Sequence, residues 1–110
     1  MIEAFRVEEY AYELITQLQP LVLRIKRQNE DLADQLTRAA SSIALNVAEG
    51  NYSQGGNRRA RFFSAAASAN ETRAALRIAV RWLYFKPEEA TKALELLDNI
   101  IKMLWSFTRQ

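Results

Sequence analysis

A chain of 110 residues with 49% hydrophobic and 25% charged side chains, three glycines and two prolines has the size and make-up of one compact domain, 1–110, which excludes disordered, collagen-like and low-complexity classes. It contains no His and no Cys, so the usual neutral-pH general base, the usual zinc ligands, thiolate chemistry and disulfides are all missing. The formal net charge is only +2, yet residues 58–86 carry seven basic groups against Glu71 alone. No enzyme activity, metal or cofactor is expected from such a chain. No apolar run reaches the ~18 residues that span a bilayer, and the opening MIEAFRVEEY is acidic, without the hydrophobic stretch of a signal peptide. The expectation is a soluble, untargeted, cytoplasmic protein with no membrane partner.

Apolar residues recur at spacings of three and four and nowhere alternate with period two, which predicts an all-α chain. Short connections make it an antiparallel up-down-up-down four-helix bundle, with helices at about 2–28, 30–49, 57–85 and 87–108. In the first, Val7, Tyr10, Ala11, Leu14, Leu18, Leu21, Val22 and Ile25 share one side of the wheel. Pro20 interrupts it and predicts a kink near residues 16–20 rather than two helices. Asn29 is placed to cap the second helix, with Glu30 and Asp31 at its positive end. The small residues Ala39-Ala40-Ser41-Ser42-Ile43-Ala44 mark its closest helix crossing, and Gly50 is expected to stop it.

Residues 50–57, GNYSQGGN, hold all three glycines. They match neither a Walker loop nor a dinucleotide fingerprint and are read as a chain reversal, with Asn57 capping the third helix. On that helix Phe62, Ala65, Ala69, Leu76, Ala79, Val80 and Leu83 form the core stripe, and Arg59, Arg73, Arg77 and Arg81 the adjoining arc. Together with Arg58 and Arg61 they are the candidate nucleic-acid contacts. Arginine suits bidentate phosphate contacts, but the same pattern serves a solvated helix face or pairing with acids of a neighbouring subunit. Ile78, Trp82 and Phe85 point away from the core on the wheel. The fourth helix opens with Pro87 at its first position, followed by Glu88 and Glu89, and its apolar residues, Trp105 among them, cover about 200° of the wheel, more than one bundle core requires. A surplus on both helices predicts a homo-oligomer with Ile78, Trp82, Phe85 and Trp105 in its interface.

Glu49 and Glu71 are the one carboxylate pair that antiparallel helices could oppose. Without His, ion pairing or capping is the expected role rather than metal binding or hydrolysis. Asn46 and Glu49, near a helix end, are expected to tie the following loop through its backbone N–H groups.

The stretch from Asp31 to Gly50, DLADQLTRAASSIALNVAEG, resembles the signature L-x-x-Q-L-x-R-A-A-x-S-I-x-x-N-x-A-E-G of the four-helix-bundle family of 23S rRNA intervening-sequence proteins. The likeness continues through Gly55-Gly56-Asn57-Arg58-Arg59-Ala60-Arg61 and Ser68-x-x-Glu71-x-x-x-x-Leu76-x-x-Ala79. The resemblance implies a left-handed bundle assembled as a ring-like homopentamer, in a bacterial family with no enzyme among its members. A related branch, the accessory variability proteins of diversity-generating retroelements, implies nucleic-acid binding and docking to a reverse transcriptase. The combined reading is a non-catalytic oligomer that holds RNA on the Arg-rich face, with a docking subunit for a reverse transcriptase as the alternative.

Overall fold

The computed structural model describes residues 2–109. They form α1 (Ile2–Lys26), α2 (Glu30–Asn51), α3 (Gly55–Arg81) and α4 (Thr91–Thr108), with a 3-10 turn at Pro87–Ala90 leading into α4 and no strand among the described residues. α1 and α3 each pack on both α2 and α4, which closes four helices around one core. The connections at 27–29, 52–54 and 82–86 are too short for crossovers, so neighbours run antiparallel. The 27 residues of α3 span about 40 Å at 1.5 Å per residue, and the longest dimension of the molecule, 42 Å, is therefore one helix length. No helix among the described residues is long and apolar enough to cross a membrane.

The stripe Val7, Ala11, Leu14, Leu18, Leu21 and Ile25 is buried along α1, which runs unbroken through Pro20 to Lys26. Asn29 caps α2 as expected, its side-chain oxygen accepting the Leu32 N–H at 3.0 Å. α2 and α3 make the broadest helix contact of the bundle. Ala39, Ala40 and Ala44 on α2 and Ala65, Ala66 and Ala69 on α3 are buried, and Ser68 Oγ donates to Ser42 Oγ at 2.8 Å. Small side chains let the two backbones approach.

The ends of α2 and α3 differ from expectation. α2 does not stop at Gly50 but passes through it to Asn51. Gly50 is buried, and a Cβ there would stand 2.7 Å from Phe62 Cε1, so this glycine admits the Phe62 ring rather than ending the helix. α3 then starts at Gly55, whose φ of 56° is the left-handed conformation that glycine tolerates. Gln54 occupies the N-cap position and Asn57 lies inside the helix, exposed, so it caps nothing.

At its other end α3 finishes at Arg81, four residues early. Leu83 adopts φ 60°, the Leu83 N–H reaches the Val80 carbonyl at 3.0 Å, and the Tyr84 N–H reaches that of Ala79 at 3.1 Å. This is the paired bonding of a Schellman end with leucine in the left-handed position where glycine is usual. The reversal corrects two assignments. Leu83, expected in the core, is 73% exposed, and Phe85, expected to face outward in an oligomer interface, is buried at 3%. Beyond Arg81 the helical wheel no longer says where a side chain points. Most of the apolar surplus of α4 is absorbed as well. Leu97, Ile100, Ile101 and Leu104 are buried, and Leu94, Leu96, Met103 and Phe107 pack against the core at its margin.

Candidate nucleic-acid interface

The six candidate arginines do not form one face. Arg58 donates to the Gly50 carbonyl at 3.0 Å and lies 4.8 Å over the Phe62 ring. Arg61 pairs with Glu49 at 2.8 Å and donates to Asn46 Oδ1 at 3.4 Å. Both face α2, where they fasten the helix pair. Arg59 and Arg73 turn to α4. Arg59 Nε donates to the Thr108 carbonyl at 2.9 Å and its guanidinium lies 5.5 Å over Phe63, while Arg73 pairs with Asp98 at 2.9 Å and donates to Asn70 at 3.0 Å. Arg77 and Arg81 continue the Arg73 stripe at intervals of four residues. They are exposed and make no side-chain hydrogen bond or ion pair among the described residues.

Two cations outside the candidate set join this seam from α4. Lys102 and Arg109 are exposed on either side of Trp105, at a spacing of three and then four that puts all three on one stripe. That spacing was readable in the sequence; only the pairing of α4 with α3 shows that the stripe runs beside Arg59 and Arg73. The acids on the same side are Asp98, already held by Arg73, and Glu95.

Glu49 and Glu71 do not meet. Glu49 is paired with Arg61, and Arg61 precedes Glu71 by ten residues, about 15 Å along α3. Among the described residues no cluster of His, Cys, Asp or Glu could hold a metal ion. Asn46 also departs from expectation. Its amide donates to the Ser42 carbonyl at 2.9 Å and to Ser42 Oγ at 3.0 Å, and its oxygen takes Arg61, so it fastens α2 to α3 instead of holding the loop. The loop is held by Ser53, whose hydroxyl donates to the Glu49 carbonyl at 2.8 Å.

The family model of the 23S rRNA-intervening sequence protein matches residues 3–106. The chain belongs to that family. A crystal structure of a protein of unknown function from the S23 ribosomal protein family of Bacteroides thetaiotaomicron is similar to it with a TM-score of 0.85 and 21% identity, over 94% of this chain and 99% of that one. At that identity the likeness is one of fold. Curated proteins give no match.

In this member of the intervening-sequence family the exposed apolar side chains fall into separate patches. Ile78, Trp82 and Leu83, exposed at 46%, 67% and 73%, crowd the end of α3. Trp105, expected in the same interface, lies elsewhere. It packs edge-on to Phe63 with ring centroids 6.0 Å apart, and the fifteen residues from Phe63 to Ile78 are about 22 Å of helix.

The end of α2, just before the loop that leads to the arginines, is anchored to α1 by Asn51, which donates to the Ala4 carbonyl at 3.2 Å and to Glu8 Oε1 at 2.7 Å. Tyr12 donates to the other Glu8 oxygen at 2.6 Å, and this bond, with some burial, pushes its phenol from 10.0 up to about 12. The bond needs the protonated phenol. Its contribution to stability is therefore fully present below pH 10 and disappears as pH rises through about 12. Absorbance titration is expected to show a phenolate step near pH 12, and Tyr12→Phe should remove that step. A titration that Tyr12→Phe leaves unchanged near pH 12 refutes the Tyr12–Glu8 bond.

Proposed function

We propose that this chain is a non-catalytic, oligomeric bundle that holds RNA phosphates along the α3–α4 seam. The observation that carries the reading is the condition of Arg77 and Arg81, two exposed guanidinium groups on one stripe with no hydrogen-bond or ion-pair partner among the described residues. A cation already tied to an internal acid offers little to a phosphate, whereas an unpaired guanidinium offers a full fork of donors. Arg59, Lys102 and Arg109 extend the positive potential along the seam, while Arg73 is neutralised by Asp98. Arg58 and Arg61 belong to the fastening of α2 to α3 and are left out of the contact set.

One seam of this charge binds weakly. Repetition of the seam around a ring, the homopentamer that the family resemblance brings, sums the field and adds avidity. The Ile78, Trp82 and Leu83 patch is the face we assign to that assembly, because large apolar side chains clustered in water favour burial in a partner. The same patch favours a second reading, an accessory subunit that docks a protein such as a reverse transcriptase and leaves nucleic acid to it.

Titration against a structured RNA at about 50 and 200 mM salt, with mass measured by light scattering, tests both parts. Backbone-directed binding is expected to weaken at least tenfold over that range. No binding at the lower salt overturns the RNA reading, and a monomeric mass at micromolar concentration overturns self-assembly and leaves the docking reading.

A further inference from the structure

Phe63 and Trp105 form a shelf on the α3–α4 seam that phosphate binding does not explain. The rings stand 83° apart, each remains about two-fifths exposed, and Arg59 lies over Phe63. Lys102 and Arg109 flank Trp105 on its own helix, so three cations border two aromatic rings. The Thr108 carbonyl fixes Arg59 in place, and Asp98 and Arg73 close the seam further along α3.

We infer that this shelf is a stacking site for an unpaired nucleobase of an RNA strand, with the adjoining phosphates on Arg59, Lys102 and Arg109. The inference rests on the RNA reading above and narrows it to single-stranded segments. Charge decides the occupant. Three cations border the rings, whereas the acids of the same stripe, Asp98 and Glu95, lie about two and three turns from Trp105 and Asp98 is held by Arg73, so the shelf itself suits a polyanion and a second copy would have to bring its own acids to it. Area points the same way. Two half-covered rings fall far short of the roughly 800 Å² per partner that a stable protein interface buries, but they match the face of one base. A base stacked on one ring would have its edge against the other, and stacking with flanking cations is how single strands are held without regard to sequence. A base inside a duplex presents no free face, so the shelf discriminates between the two forms.

Affinities are measured on the unaltered full chain, and Trp105 emission is read in Trp82→Phe, which leaves Trp105 as the only tryptophan of the original two and is used at a concentration where its light-scattering mass equals that of the unaltered chain. The probes are an unstructured 16-nucleotide RNA and the same strand annealed to its complement. The unpaired strand is expected to quench Trp105 emission and the duplex to leave it unchanged. Phe63→Leu should weaken binding of the unpaired strand by about fivefold or more without changing duplex affinity, and Phe63→Tyr should restore it. Equal affinity for both forms with unchanged emission overturns the stacking site and leaves the phosphate reading intact. Failure to bind either form at low salt ends both. A fall in light-scattering mass on Trp105→Leu, with the thermal melt preserved, overturns the proposal by making the shelf a contact between copies.

Discussion

Phe62→Ala is expected to cost about 3–5 kcal/mol of folding free energy and to lower the melting temperature by about 15 °C or more. Phe62 is 1% exposed and joins three elements: its ring enters the space left by Gly50 on α2, meets the Phe107 ring of α4 at 5.3 Å, and lies under the Arg58 guanidinium. Truncation opens a cavity where α2, α3 and α4 meet, and it also removes the surface on which Arg58 rests. The reciprocal variant separates two roles for the glycine. If Gly50 were an ordinary position inside α2 with open space beside it, Gly50→Ala would stabilise by up to about 1 kcal/mol. Because the new Cβ would stand 2.7 Å from a ring that is itself packed on Phe107, overpacking of about 1–3 kcal/mol is expected to outweigh that gain. Thermal or urea unfolding of the cycle with Phe62→Leu decides it. Gly50→Ala should be much less harmful once the ring is gone, and additive effects would show that the two residues do not compete for the same space.

The bundle was legible because its helices are long and periodic. The α1 stripe, the Asn29 cap and the small-residue crossing of α2 on α3 follow from spacing alone, and each is where the periodicity puts it. What spacing could not show was the reversal at Leu83. A left-handed helix end is signalled by glycine or asparagine, and leucine there gives no cue, so the wheel ran on to Phe85 and turned a core residue outward. Gly50 misled in the opposite sense. Its usual meaning is termination, whereas here the ring of Phe62, twelve positions away in sequence, requires the missing Cβ. The candidate site was partly legible for a related reason. A wheel gives the direction of Arg58, Arg59, Arg61 and Arg73, but not the acids and carbonyls on the facing helices, and those partners divide fastening arginines from free ones. The Phe63–Trp105 shelf joins residues 42 positions apart on two helices and needed the α3–α4 register to be seen.

Arg77→Glu with Arg81→Glu is expected to reduce RNA affinity on the order of 100-fold at about 50 mM salt and to flatten the dependence of affinity on salt by about two units of slope. The slope is the sharper observable, because every phosphate that the protein ceases to neutralise keeps its counterion, regardless of how tightly the remainder of the RNA is held. This pair isolates binding from folding. Neither side chain has an internal partner among the described residues, so reversal breaks no bond, and the carboxylate that Arg81→Glu sets in the last turn of α3 is expected to lower the melting temperature by no more than about 5 °C. Arg73 is unsuitable for the purpose, since Arg73→Glu would set a carboxylate against Asp98 where an ion pair of 2.9 Å now stands. Arg61→Glu supplies the opposite control. It opposes Glu49 across the α2–α3 seam and should lower stability while leaving the salt slope unchanged. Because Arg81 adjoins Trp82 on the assembly face, the double variant is also weighed by light scattering. If its mass is unchanged and its RNA affinity and slope match those of the unaltered chain, the α3–α4 seam is not where RNA binds. If the mass falls and binding falls with it, the arginines act through assembly, and monomeric affinity for a single short RNA then measures what the seam contributes alone.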